Sequence, residues 1–140
     1  MRSLHDDGHD VTVFDQFDAP RPVGSGLVIQ PVGMDVLRAA GAVEEVTRRG
    51  AVIQRMFGDE VSKNRKILAV SYGATADRQG LGIHRAALFQ ALYDAALAAG
   101  AQIVPSSPVA GRDGQHLLIG SGREGPFDLI VDALGAGSCL

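Results

Sequence analysis

A glycine followed by a short apolar strand and a carboxylate is the feature that most constrains the fold of this chain. Gly8 ends a short polar segment, residues 1–7, which is interpreted as the last turns of a helix with glycine just past its end. The run from Val11 to Phe14 is β-branched and aromatic, and turn-forming residues flank it, which predicts a buried strand. Asp15 closes that strand. The sequence therefore predicts an α/β fold.

The position of Asp15 suggests a role as well as a fold. An acidic residue at the end of such a strand can accept hydrogen bonds from the ribose of a dinucleotide, about 20 residues after a glycine-rich phosphate loop. Counted back from Asp15, that loop lies before residue 1, so we expect it to be absent from this chain. The alternative is that Asp15 is an ordinary turn residue at a strand end. This segment alone favours neither interpretation.

A second glycine pattern is a decoy. Residues 120–125 match G-x-G-x-x-G. A helix must follow that motif, because the amides of its first turn hold the pyrophosphate. Here Phe127 to Val131 follows instead, and its apolar residues predict a last buried strand. We therefore interpret residues 120–125 as a turn between strands.

Hydrophobic periodicity and turn signals predict the other elements. Helices are predicted at residues 32–40, 43–49 and 85–99, each followed by a glycine. Strands are predicted at residues 52–58 and 66–72 as one hairpin, at 101–104, and at 109–119 as a second hairpin that turns at Asp113-Gly114. Loops are predicted at residues 20–26 and 73–82. This order indicates α/β architecture with an inserted antiparallel β layer, which begins at about residues 52–72.

Composition excludes several classes of function. The 140 residues fit one domain, and a net charge of −3 gives no basic surface for a nucleic-acid partner. One cysteine rules out an intrachain disulfide and a cysteine-based metal site, and the four histidines lack metal-ligand spacing, so no metal is expected. No apolar run reaches about 18 residues, so we expect no membrane partner and a cytoplasmic location.

Four segments, in order along nearly the whole chain, resemble flavoprotein monooxygenases related to para-hydroxybenzoate hydroxylase. Residues 8–15 (GHDVTVFD) resemble the strand that follows the family's glycine loop. Residues 20–27 (PRPVGSGL) resemble a loop that passes the FAD, and residues 82–88 (GIHRAAL) resemble a helix start whose arginine approaches the flavin. Residues 131–138 (VDALGAGS) are similar to the second FAD motif.

This resemblance implies a partial Rossmann-like FAD-binding domain over residues 1–140. FAD is the implied cofactor and NAD(P)H the implied electron donor. The implied reaction of the complete enzyme is hydroxylation of a small, often aromatic, substrate by O2. The resemblance places these residues at the cofactor: Asp15 at the adenosine ribose, Gly24, Ser25 and Gly26 in the loop beside FAD, Arg85 at its phosphate or ribityl side, and Gly135 in the second motif. No residue is identified as a catalytic acid or base.

Departures from the family leave two hypotheses open. Leu134 stands where the family usually has an aspartate, and Asp132 lies two residues earlier. The first hypothesis is a partial FAD monooxygenase that is inactive as an isolated chain. The second is an inactive scaffold or interaction protein derived from a flavoprotein. Because a strand of the family's sheet is expected to be missing, we also expect self-association through exposed sheet edges.

Overall fold

The computed structural model describes residues 7–19, 24–73, 75 and 78–140, which form three α-helices and ten β-strands. The mixed α/β class predicted from the sequence is confirmed. The helix end predicted at residues 1–7 lies almost wholly outside the described residues, although Gly8 has the positive φ, 85°, of a helix-terminating glycine. No helix in the described ranges is long and apolar enough to cross a membrane.

The helices and strands are numbered in chain order. The helices are α1 (Pro31–Ala39), α2 (Val43–Arg49) and α3 (Arg85–Ala98). The strands are β1 (Thr12–Phe14), β2 (Gly26–Ile29), β3 (Ala51–Ile53), β4 (Arg55–Glu60), β5 (Arg65–Ser71), β6 (Gly80–His84), β7 (Gln102–Val104), β8 (Val109–Asp113), β9 (His116–Ile119) and β10 (Gly122–Glu124).

The strands form four small sheets. β1 and β7 pair in parallel, with Thr12 opposite Gln102. β6 lies between β2 and β3 in an antiparallel sheet. β4 and β5 form an isolated antiparallel hairpin, and β8, β9 and β10 form an antiparallel meander. The parallel pair agrees with an α/β fold, and β4 and β5 form an antiparallel hairpin close to the one predicted at residues 52–58 and 66–72.

The core lies between the helices and the central sheet. β6 contributes Leu81 and Ile83, which share one face because side chains alternate along a strand. They pack with Leu37 of α1 and Val46 of α2, and Val46 is completely buried. This layer holds α3, and therefore Arg85 at its start, in a fixed position against β6.

The predicted helices and hairpins are confirmed to within a few residues. Gly41 and Gly100 follow α1 and α3 with φ of 70° and 85°, the left-handed conformation that ends a helix. In the β8–β9 hairpin Asp113 pairs with His116, so the turn lies at Gly114 and Gln115. That is one residue later than predicted, with Gly114 at φ 58°.

Three element boundaries were predicted incorrectly. The strand predicted at 52–58 is divided at Gln54, where the chain leaves the central sheet for the β4–β5 hairpin. The loop predicted at 73–82 ends early, because β6 begins at Gly80 and is the middle strand of its sheet. The turn predicted at residues 120–125 includes β10, which pairs with β9. No helix follows residues 120–125, which agrees with their interpretation as a decoy.

The strand predicted at Phe127–Val131 is wrong. The N–H of Phe127 donates to the carbonyl of Gln115, 2.8 Å away in the β8–β9 turn, and no strand pairs with residues 127–131 in the described chain. Leu129 and Val131 are 67% and 69% exposed. A strand needs a neighbour to satisfy its backbone groups, and apolar composition alone does not supply one.

Candidate functional site

The loop before β2 and the start of α3 meet at Gly24 and Arg85. Gly24 has φ 108°, and a Cβ atom there would lie 3.2 Å from Cδ of Arg85 and 3.3 Å from its Nε. The N–H of Arg85 donates to the carbonyl of Ser25 at 3.2 Å, and Gly26 pairs with His84 across β2 and β6. The structure thus brings Gly24, Ser25, Gly26 and Arg85 together from two segments that are far apart in sequence.

Arg85 gives this meeting point a positive charge. It is the first residue of α3, a helix with no acidic residue in its first turn and no side chain capping its start. In the described part of the chain Arg85 has no ion-pair partner. The N-terminal end of a helix carries unpaired N–H groups and a partial positive charge. The Arg85 guanidinium and the start of α3 therefore both favour a negatively charged ligand. This arrangement suits an anion such as a phosphate group.

Asp15 lies at the carboxyl end of β1, beside β7. Its N–H donates to the carbonyl of Val104 at 3.1 Å, which continues the parallel pairing. Its Oδ1 accepts the N–H of Phe17 at 3.1 Å. Among the described residues Oδ2 has no hydrogen-bond partner, so this carboxylate can still accept from a ligand hydroxyl.

Gly135 lies in a turn that Asp132 holds together. Gly135 has φ 84°, and its carbonyl accepts the N–H of Ser138 at 3.1 Å. Asp132 accepts the N–H of Leu134 through Oδ1 at 2.9 Å and the hydroxyl of Ser138 through Oδ2 at 2.6 Å. The Ser138 hydroxyl, with the Leu134 N–H, lowers the pKa of Asp132. Both carboxylate oxygens of Asp132 are therefore used within the turn.

Acidification is expected to open this turn. The folded pKa of Asp132 lies below its ordinary value of about 3.9, so its stabilising effect is present above that pH. The effect is lost as the pH falls through the lower, folded pKa, because a protonated carboxyl accepts these bonds less well. The amide NMR signals of Leu134 and Ser138 should move in that acidic range, and Asp132→Asn should abolish the movement. If Asp128→Asn has the same effect as Asp132→Asn, the assignment to Asp132 is contradicted.

An open cleft of about 380 Å³ lies beside the strand that leads to Asp15. Thr12 and Phe14 of β1 line it together with Gln102 of β7 and with Phe127. The rings of Phe14 and Phe127 meet edge to face at 5.9 Å. A ring contact, and not backbone pairing, therefore holds the segment after β10 near β1.

A second open cleft, of about 460 Å³, lies between the start of α1 and the end of β5. Its lining residues are Pro31, Asp35, Ser71, Tyr72, Gly73 and Arg78. This cleft was not predicted from the sequence, because residues 73–82 were interpreted as a loop. The sequence feature that could have indicated this cleft is the pair Gly73 and Gly80, two small residues close in sequence to Tyr72 and Arg78.

Metal-binding chemistry has no candidate in the described ranges. No group of three or more His, Cys, Asp or Glu side chains there could hold a metal ion. Cys139 is exposed, and its Sγ lies 3.2 Å from the carbonyl oxygen of Val109.

Solved structures that resemble this chain include an oxygenase, a probable FAD-dependent monooxygenase and a protein solved with bound FAD. The tetrameric form of 2-methyl-3-hydroxypyridine-5-carboxylic acid oxygenase superposes over 86% of this chain with a TM-score of 0.74 and 21% identity. PqsL of P. aeruginosa, in complex with 2-aminobenzoylacetate, covers 87% with a TM-score of 0.69 and 21% identity. CtdE, in complex with FAD and a substrate, covers 86% with a TM-score of 0.69 and 16% identity. PqsL is described as a probable FAD-dependent monooxygenase.

These likenesses show the fold. This chain has the fold of the corresponding part of these solved proteins, one of which is described as a probable FAD-dependent monooxygenase. It spans 32%, 35% and 31% of the three solved chains, about a third of each. No protein-family model matches the sequence, and no curated protein matches it either.

Proposed function

We propose that this chain forms part of the FAD-binding domain of an FAD-dependent monooxygenase. The observation that carries the proposal is the unpaired guanidinium of Arg85. Arg85 is the first residue of α3, and its side chain lies against Gly24 in the loop before β2. The parallel β1–β7 pair that ends at Asp15 supports a partial Rossmann-like domain over residues 1–140. The β4–β5 hairpin, within residues 52–72, supports the start of an inserted antiparallel layer.

The residues present fit FAD at most of the expected points. Arg85 and the α3 start suit its phosphates, and the free Oδ2 of Asp15 suits a ribose hydroxyl. The loop at Gly24, Ser25 and Gly26 lies against Arg85, and the absence of a side chain at Gly24 leaves room for the Arg85 guanidinium. The second motif fits less well, because the Leu134 side chain cannot hydrogen-bond and both oxygens of Asp132 are engaged beside Gly135.

FAD, when bound, supplies the redox chemistry that transfers one oxygen atom of O2 to a small, often aromatic, substrate, with NAD(P)H as electron donor. The role of this chain is to bind and orient the cofactor. Arg85 fixes its anionic groups, and Asp15 fixes a hydroxyl. No described residue is assigned as a catalytic acid or base. The substrate and the complete reaction are proposals drawn from structures three times as long as this chain.

The test is a flavin fluorescence titration of the purified chain. Saturable quenching that is weakened by Asp15→Ala or Arg85→Ala supports cofactor binding at the proposed residues. No binding up to about 100 μM FAD, a free energy weaker than about −5.5 kcal/mol, contradicts it.

A second candidate function is an inactive scaffold or interaction protein derived from a flavoprotein. Leu134, in place of the family's aspartate, and the exposed apolar side chains of Leu129 and Val131 favour it. Both candidates share the fold. The titration separates them, because only the first requires a site for FAD.

We also propose that the chain self-associates through exposed sheet edges. Among the described strands β1 pairs only with β7, and the backbone groups of Val11, Val13 and Asp15 face that partner. The backbone groups of Thr12 and Phe14 therefore point to an edge with no partner among the described strands. β4 and β5 form a separate two-stranded sheet, so its outer edges also lack a partner among the described strands. Two unprotected edges on a small chain favour intermolecular pairing.

Light scattering after gel filtration should show a mass that rises with concentration. Thr12→Pro is expected to reduce the association, because it removes an N–H from the outer edge of β1. Val13→Pro is the matched control, since that N–H faces β7 and its loss should disrupt the native pair instead. A monodisperse monomer with a cooperative thermal transition would contradict the proposal.

A further inference from the structure

The outer edges of β1 and β5 carry opposite charges, and neither edge has a partner strand in the described chain. We propose that β5 of one chain pairs in parallel with β1 of a second copy. The backbone groups that meet belong to Ala69 and Ser71 on β5 and to Thr12 and Phe14 on β1. This inference rests on the self-association proposed above, and it identifies the two edges that come together.

Ala69 and Ser71 present their backbone groups at the outer edge of β5. The N–H of Tyr72 donates to the carbonyl of Gln54 at 2.9 Å, so the backbone of Tyr72 faces the other side of the hairpin. In an antiparallel pair, residues that bond to the partner strand alternate with residues whose backbone groups point away. Val70 therefore faces β4, and Ala69 and Ser71 point away from it. The register shift lies nearer the start of β5, so both residues belong to its regular part.

Charge distinguishes β5 from the other strand of its hairpin. β5 begins with Arg65 and Lys66 and contains no acidic residue. β4 contains Asp59 and Glu60 against the single cation Arg55. Nη2 of Arg65 lies 3.3 Å from Oε2 of Glu60, whereas Lys66 has no ion pair in the described chain. The edge of β5 therefore suits an acidic partner, and the edge of β4 does not.

The segment around β1 is acidic. Residues 7–18 contain no lysine or arginine, and their acidic residues are Asp7, Asp10, Asp15 and Asp18. Asp7 and Asp10 are exposed and have no hydrogen bond or ion pair in the part of the chain that the structure describes, whereas Asp15 already accepts a backbone N–H. A parallel strand with Ala69 beside Thr12 places its basic start near Asp7 and Asp10. An antiparallel strand would place that start near Asp15, so the free carboxylates favour the parallel direction.

β5 also offers exposed apolar side chains to the contact. Ile67 and Leu68 are 63% and 45% exposed. Pairing with a second chain covers part of this surface, and burial of apolar surface favours association. Because an edge of β1 meets an edge of β5, each added chain brings one further edge of each kind, so the contact can repeat beyond a dimer.

Two proline variants test whether the two edges meet each other. Thr12→Pro removes an outward N–H from β1, and Ala69→Pro removes one from β5, so each variant keeps only one of the two edges intact. Each variant alone should associate about tenfold or more weakly than the unchanged chain. An equimolar mixture should form a dimer that contains one chain of each variant and does not grow further. Light scattering after gel filtration measures the masses, and circular dichroism shows whether each variant is folded.

Charge variants test the same contact without a change in the backbone. Lys66→Glu should weaken association about three- to tenfold at low ionic strength, since a pair of opposite charges becomes a pair of like charges. Asp10→Lys in the same chain should restore the association. Arg112→Glu is the matched control, because it makes the same change of charge at an exposed position of β8 and should have no effect.

The outcomes separate this pairing from self-association in general. If the unchanged chain stays monomeric at every concentration, both are contradicted. If the unchanged chain associates and a folded proline variant alone associates equally well, the pairing of β5 with β1 is overturned while self-association stands. Equal effects of Lys66→Glu and Arg112→Glu, or a double variant that associates no better than Lys66→Glu, would overturn the pairing in the same way.

Discussion

Arg85→Ala is expected to weaken FAD binding by about 10- to 100-fold. Hydrogen bonds to charged groups contribute about 1.5–3 kcal/mol each, and about 1.4 kcal/mol corresponds to a tenfold change in affinity. Arg85 lies at the start of α3 without a carboxylate partner in the described chain, so its charge is available to the cofactor phosphates. Flavin fluorescence titration measures the change.

Two further variants show whether geometry or charge is responsible. Arg85→Lys keeps the charge but loses the planar fork of donors, and should give an intermediate affinity. Arg112→Ala removes an exposed arginine from β8 and should leave the affinity unchanged. If the unchanged chain and Arg85→Ala bind FAD with equal affinity, the role proposed for Arg85 in FAD binding is contradicted.

Leu81→Ala is expected to destabilise the chain by about 2–5 kcal/mol, a large part of the stability of a typical domain. Leu81 lies on the middle strand of the central sheet and is 2% exposed. Gly50→Ala should also destabilise it, by about 1–3 kcal/mol, because a Cβ atom at residue 50 would lie 2.7 Å from Cδ2 of Leu81. Urea unfolding measures both free energies.

The double variant tests whether these two residues act on each other. In Gly50→Ala, Leu81→Ala the shortened side chain leaves room for the added methyl group, so the combined loss should be smaller than the sum of the single losses. Gly137→Ala is the matched control, because nothing lies within 4 Å of its added Cβ and its φ is not positive. Strict additivity of Gly50→Ala and Leu81→Ala would contradict the packing of Leu81 against Gly50.

The sequence predicted those elements whose signals are local. α3 is rich in alanine and leucine, which are strong helix formers, and a glycine follows its end; both signals are visible without any partner segment. The β8–β9 hairpin has the turn glycine Gly114 between two short apolar runs. Local chemistry fixes these structures, so sequence patterns are enough to find them.

Elements that depend on distant partners were missed or predicted wrongly. β6 begins Gly80-Leu81-Gly82, and its glycines resemble a loop, although they allow close contact with Tyr72 and Ile53. The segment at residues 127–131 has a strand's composition but no neighbouring strand among the described residues. Whether an extended segment becomes a strand is decided by its neighbours, and one segment's composition does not contain that information.

The candidate site likewise combines residues that sequence motifs indicate with contacts that only the folded chain shows. The resemblance pointed separately to residues 24–26 and to Arg85, but no pattern in the sequence implied that the Arg85 side chain lies against Gly24. The roles proposed for Asp15 and Gly135 remain predictions. Tyr72 and Arg78 lie beside glycines whose importance is spatial, so their cleft became visible only in the folded chain.

The parallel pairing of β1 with β7 has a consequence for how this chain folds. Thr12 pairs with Gln102 about ninety residues later, and the entropy cost of closing a loop rises with its length. The β8–β10 meander closes only short loops. Contacts between distant segments form slowly, so the meander and the helical layer are expected to assemble before β1 joins them. Asp15 therefore reaches its native position late in folding, because it follows β1, whose pairing requires the rest of the chain to have folded first.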